Sequence, residues 1–189
     1  MLMKTPILVI GLFLIILSVK SQTVPSAENQ IKLARLAAPE DKRAEVTVYG
    51  YSPKGEFVLL KQGKNELICL ADDPKQEGLS VACYHKELEP FMKRGRDLKA
   101  AGKPDTRDEE VKAGKLHMPR QPATLYVYSA KPGDYDVAQA SVKKGYLRYV
   151  IYTPYATPES TGLSLQPGEA GMPWLMFPGT PRAHIMINP

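Results

Sequence analysis

Cys69 and Cys83 are the only cysteines in the chain, and a single polar turn separates the strand-like segments that hold them. Before the turn runs ELICLA (residues 66–71) and after it LSVACY (79–84), with DDPKQEG between them. Asp72, Asp73, Pro74 and Gly78 in that link are residue types that build turns. A disulfide needs α-carbons within about 7 Å, a separation that neighbouring strands provide. Oxidation would pin these two strands together, at about 3 kcal/mol in the chain-entropy model. Two reduced, buried cysteines are the other reading. Zinc is not favoured, because a structural site needs four ligands and no second cysteine pair exists.

The N-terminus decides between the two readings. MLMKTPILVIGLFLIILSVKS begins with one basic residue, Lys4, continues without charge from residue 6 to 19, and gives way to the polar SQTVPSAENQ. Basic, apolar and polar regions in that order define a secretory signal peptide, here residues 1–21 with Val19 and Ser21 before the cleavage point. A membrane-spanning helix takes roughly 20 apolar residues, so this run is short for a retained anchor, and no later run reaches that length. The expectation is an exported protein, secreted or periplasmic, in a compartment where a cysteine pair oxidises. The Cys69–Cys83 disulfide then removes both thiols as nucleophiles. Without residues 1–21 the formal charge falls from +5 to +3, because Lys4 and Lys20 leave and no acid does. The densest basic stretch, Lys93 to Arg96, is followed by Asp97 and by TRDEE, a solvated helix face rather than the basic stripe of a nucleic-acid binder. No nucleic-acid partner and no lasting membrane insertion are expected.

The remaining pattern predicts an α+β fold: one domain over residues 45–189, with a mainly antiparallel sheet, one principal helix and a proline-rich C-terminal wrap. Residues 22–44 form a leader, helical through AENQIKLARLAA and capped by Ser26. Residues 45–51 and 56–62 read as strands joined by Ser52-Pro53-Lys54-Gly55, and Gly63-Lys64-Asn65 as a hairpin loop into residues 66–71. Residues 86–101 read as a helix on Leu88, Phe91, Met92 and Leu98, with Pro90 near its first turn and Gly102 past its end. Residues 103–122 form a charged excursion. TLYVYSA (124–130) and GYLRYVIYT (145–153) are strands by their tyrosine and β-branched content. From residue 154 onward prolines alternate with large apolar residues, as in MPWLMF and AHIMI, which is the composition of an ordered, packed tail.

Chemistry-bearing residues are few. The histidines are His85, His117 and His184, and none sits in a zinc-ligating spacing; nucleophile elbow, phosphate loop and dinucleotide fingerprint are all missing from the sequence. No cofactor is implied. His184 and Met186, two apart on a strand, would share a face, and imidazole with thioether suits copper(I); His117 with Met118, and residues 172–176, could add ligands. A hydrolase would use His184 or His117 with Asp72 or Asp73. Trp174, the only tryptophan, either lines a ligand groove or locks the tail to the core. The tyrosines at 146, 149, 152 and 155 recur every third residue, so a strand would scatter them over both faces rather than build one stacking platform.

The stretch from Leu60 to Pro74 resembles a pattern in uncharacterised exported bacterial proteins, Leu-x-x-Gly-x-Asn-x-x-x-Cys-Leu-x-Asp-x-Pro followed by a second cysteine. Here it is carried by Leu60, Gly63, Asn65, Cys69, Leu70, Asp72, Pro74 and Cys83. The relatives often have tryptophan soon after the asparagine, where this chain has Leu67, and a Pro-His-x-Met-like end similar to Ala183-His184-Ile185-Met186. That resemblance implies export and a disulfide and no particular activity. Ligand or partner binding in the cell envelope or outside the cell is therefore the leading expectation, with the hydrolase and the copper-handling protein as alternatives.

Overall fold

The computed structural model describes residues 24–189, so the segment 1–21, expected to be a signal peptide, lies outside the described residues. The chain first forms helix α1 (Ala27–Ala34), started by Ser26, whose Oγ accepts the Asn29 N–H at 3.2 Å. Leu33, Ala34, Ala37 and Ala38 are buried in the main core with Val46, Val48, Cys69, Val81 and Cys83. The leader is thus part of the core, its small alanines letting it lie close to the sheet. Gln30 is the buried tie: its Nε2 donates to the Pro25 and Tyr51 carbonyls, both at 2.8 Å, and its Oε1 accepts the Tyr51 N–H at 2.8 Å. Gly50 makes room, since a Cβ there would fall 2.5 Å from the Gln30 Oε1.

Four strands follow: β1 (Thr47–Tyr51), β2 (Phe57–Lys61), β3 (Leu67–Leu70) and β4 (Leu79–His85). The Lys86–Leu88 turn and helix α2 (Glu89–Ala100) make one 15-residue helical segment, close to the sequence expectation. After α3 (Arg107–Lys112) come β5 (Ala123–Ala130), a small hairpin of β6 (Tyr135–Asp136) and β7 (Ser141–Val142), and β8 (Tyr146–Tyr152). A short α4 (Pro158–Thr161), β9 (Pro173–Met176) and β10 (His184–Ile187) end the fold. The main sheet has eight strands in the order β2-β1-β3-β4-β5-β8-β10-β9. The fold is α+β.

Two features depart from the sequence reading. Gly63, Lys64 and Asn65 do not close a hairpin between β2 and β3, because β1 lies between those strands and pairs with β3 in parallel. The segment instead passes beneath the start of β1. Lys64 and Asn65 N–H groups donate to the Glu45 carbonyl at 2.8 and 3.0 Å, and the Gly63 N–H to Thr47 Oγ1 at 3.1 Å. A Cβ on Gly63 would sit 2.2 Å from the Val46 carbonyl carbon, so the crossing needs glycine. The tail, second, is more than a wrap: β10 pairs with β8 on one side and β9 on the other, extending the sheet by two strands. Pro173 is tolerated because it opens an edge strand.

Cys69 and Cys83 stand directly opposite each other on β3 and β4, their Cα atoms 4.0 Å apart, and are joined by a disulfide. That bond lies on the back of the sheet, under the leader. The front carries Tyr84, Ala123, Leu125 and Tyr152, covered by Leu88 and Met92 of the helical segment. There Arg96 donates to the Tyr84 hydroxyl (2.8 Å) and to Glu89 Oε1 (2.7 Å), and the Tyr84 hydroxyl donates to Glu89 Oε2. Among the described residues no helix is long and apolar enough to cross a membrane.

Candidate functional site

Pairing gives the sheet a lower end, with Leu67, His85, Ala123, Tyr152 and His184, and an upper end, with Leu79, Ala130 and Tyr146. His184 opens β10 at the lower end. It is buried, and its ring packs at a tilt against both Tyr152 (centroids 5.1 Å apart) and Phe177 (5.7 Å). Its Nδ1 lies 2.8 Å from the Arg182 carbonyl. A carbonyl can only accept, so Nδ1 carries the proton and Nε2 keeps its lone pair. Burial, helped by the Arg182 charge, holds the imidazole below its ordinary pKa although the carbonyl contact opposes the shift. The ring is therefore neutral at physiological pH.

Around it lies a charged network drawn from the 103–122 excursion. Asp105 accepts from Arg107 Nε and Nη2, both at 2.8 Å, and from Arg182 Nη1 at 3.1 Å; Arg182 Nε donates to Asp108 Oδ2 at 2.8 Å. The Arg107 hydrogen bonds hold the Asp105 carboxyl far below the usual carboxylate range. Arg107 also lies 4.3 Å from the centre of the Phe91 ring, which in turn packs edge-on to Tyr152. Asp108 Oδ1 and Thr153 Oγ1 are buried here without a protein partner among the described residues.

Beside this network an open cleft of about 360 Å³ is lined by Val111, Leu116, Met118, Pro119 and Pro154, with His117, Arg120 and Tyr155 as its polar groups. Arg120 has no acid partner among the described residues. Tyr155 and Phe177 have φ of 64° and 52°, the left-handed region that bulky side chains avoid. Both are about half exposed, so neither is driven there by burial. Backbone bonds between their loops hold them: Tyr155 N–H to the Thr180 carbonyl (2.9 Å) and Gly179 N–H to the Ala156 carbonyl (2.8 Å). Such a conformation costs on the order of 1–3 kcal/mol per residue, and strain of this kind collects at functional sites.

The other sequence candidates are dispersed. Asp72 follows β3 at the upper end, where Oδ1 accepts the Ser80 N–H at 2.8 Å and burial raises its pKa to about 6. Four strand spacings, about 19 Å, separate β3 from β10, and the two residues sit at opposite ends of the strands. The structure thus brings neither Asp72 nor its neighbour Asp73 to His184, and His117 is on the lower-end cleft, away from both. Trp174 pairs with Met186 across β9 and β10, and Met176 with His184. By alternation all four side chains, Trp174, Met176, His184 and Met186, leave one face of the sheet. The Trp174 Nε1 is buried without a partner among the described residues. Among those residues no group of three or more His, Cys, Asp and Glu side chains could hold a metal ion.

The sequence pattern gives no role to Phe177, Arg120 or the Asp105, Asp108 and Arg182 network, and marks Tyr155 only as one of a series of regularly spaced tyrosines. A left-handed aromatic leaves no mark in the sequence, unlike a glycine. The proline-framed segment between β9 and β10 was the nearest available signal. Comparison with protein-family models, with curated proteins and with solved structures finds no match to this chain.

Proposed function

We propose that this is an exported, disulfide-stapled binding protein that holds a ligand at the lower end of β8 and β10. The observation that carries the reading is a pair of half-exposed aromatics kept in a costly backbone conformation on two loops bonded to each other, Tyr155 in the wall of the cleft and Phe177 against the His184 ring. A fold under no demand there would place glycine, as it does at Gly162, Gly171 and Gly179, whose φ values are also positive. The lining selects the ligand class. Five apolar side chains take an apolar body, and Arg120, with His117 and the Tyr155 hydroxyl, takes an anionic end. A volume of this size is within the usual range for small-molecule sites.

The test uses matched probes, octanoate against octanol and 3-phenylpropionate against 3-phenylpropanol, followed by NMR chemical-shift titration. The carboxylates should bind more tightly and move the resonances of Met118 and Tyr155. Arg120→Gln should abolish the preference and leave the alcohols unaffected. Equal affinities of wild type and R120Q for the carboxylates, or no binding at all, would reject the reading.

A further inference from the structure

We infer that His184, Met176 and Met186 form a binding site for a soft monovalent metal ion, copper(I) in kind, on the front of β9 and β10. This proposal is independent of any ligand in the neighbouring cleft. Register supplies the geometry. Met176 is the direct cross-strand partner of His184, and Met186 is two residues along the same strand. Directly opposed side chains have Cβ atoms about 5 Å apart, and same-face neighbours along a strand stand about 7 Å apart. Methionine has three rotatable bonds, which give its sulfur the reach to close those gaps on an ion.

The donor set supplies the selectivity. The Arg182 carbonyl fixes the Nδ1–H tautomer, leaving Nε2 as a ready lone-pair donor without prior loss of a proton. One imidazole nitrogen and two thioether sulfurs make a neutral, soft set that favours copper(I) and disfavours hard ions. The thiolates that would otherwise compete for such an ion are closed in the Cys69–Cys83 disulfide. Two strands hold the donors, so little chain has to be ordered on binding. Arg182 and Arg107 are already neutralised by Asp105 and Asp108, which limits cationic repulsion of the ion.

Silver(I) is the probe, because it shares the ligand preference and needs no reductant, keeping the disulfide intact. Trp174, opposite Met186 on the same face, is the only tryptophan and reports the site directly. Added to the oxidised protein, silver(I) should quench Trp174 fluorescence, saturate at one ion per chain, raise Tm and shift the His184 Nε2 resonance while Nδ1–H persists. Met176→Leu and Met186→Leu keep the side-chain volume, and each should weaken binding at least about tenfold, since losing even an outer-shell partner of a metal ligand costs that much. Met92→Leu, on α2, should change nothing. Absence of one-to-one binding, unchanged affinity in the double variant M176L/M186L, or equal weakening by M92L would overturn the assignment.

Discussion

The two halves of the sheet are built on different terms. Around β1, β3 and β4 the structure is tied down from both sides. The leader and the disulfide close the back, α2 closes the front, and the largest fully buried side chains, Tyr84, Phe91, Leu79 and Leu88, gather on or beside this half. Around β8, β10 and β9 Leu175 and Val150 are buried but most of the other large side chains stay partly exposed, polar atoms are buried without partners among the described residues, and two aromatics stand in left-handed backbone. One half stores stability. The other spends some of it on geometry, which is how a small domain holds a rigid base under a strained site.

The contrast is sharpest if the staple is removed. Cys69→Ala with Cys83→Ala should cost about 3 kcal/mol, lowering Tm by about 9 °C at the usual scaling for this size. Carboxylate binding below the new Tm should persist, because the disulfide and the cleft lie in different halves; its loss would merge the halves into one unit. Gln30→Ala comes next. It strands the Tyr51 N–H and carbonyl in a part-buried position, at about 2 kcal/mol, and calorimetry should show Tm down by about 6 °C.

The two ends of the sheet also titrate in opposite senses. Asp72 has a folded pKa raised to about 6, so the folded state binds its proton more tightly than the unfolded chain. Its contribution is complete below pH ~4 and is lost as pH rises through 6. His184 has a lowered folded pKa, so its contribution is complete above the ordinary histidine pKa and is lost as pH falls through the region below it. Asp72→Asn keeps the acceptor for Ser80 and removes the charge. It should raise Tm at pH 7.5, by less than either loss above, and have no effect at pH 4; an equal gain at both would show that charge burial is not the cause. The acid destabilisation that persists in D72N should then include the His184 contribution.

The smallest effect is the most diagnostic. Tyr155→Gly relieves a strain of about 1–3 kcal/mol and gives back about 0.5–1 kcal/mol of backbone entropy. Differential scanning fluorimetry should show Tm up by about 2 °C, with carboxylate binding weakened. A stability gain with undiminished binding would make the strained turn a mere accident of loop closure.

Local pattern made the helix at Leu88, Phe91 and Leu98, the strands near Val127 and Val150, and the Cys69–Cys83 bond legible from sequence, because each depends on near neighbours or on one covalent possibility. Strand order was not legible. That β2 is an edge and β1 pairs in parallel with β3 depends on where Glu45 presents its carbonyl to Lys64 and Asn65, a contact between distant stretches. The site was legible in part: His184 and Met186 share a face as their spacing requires, whereas Trp174 and Met176 join them only through cross-strand register. Tyr155 and Phe177 could not be found, since their conformation is imposed by loops that meet only in the folded chain.

Strand β10 follows both of its neighbours in the chain and comes to rest between them. Ribosomes release the chain N-terminus first, so β9 leaves the tunnel with no neighbour to pair with and waits for residues still to be made. The His184 strand is thus the keystone of vectorial assembly: the half of the sheet already formed can be sound while the half with the site does not yet exist.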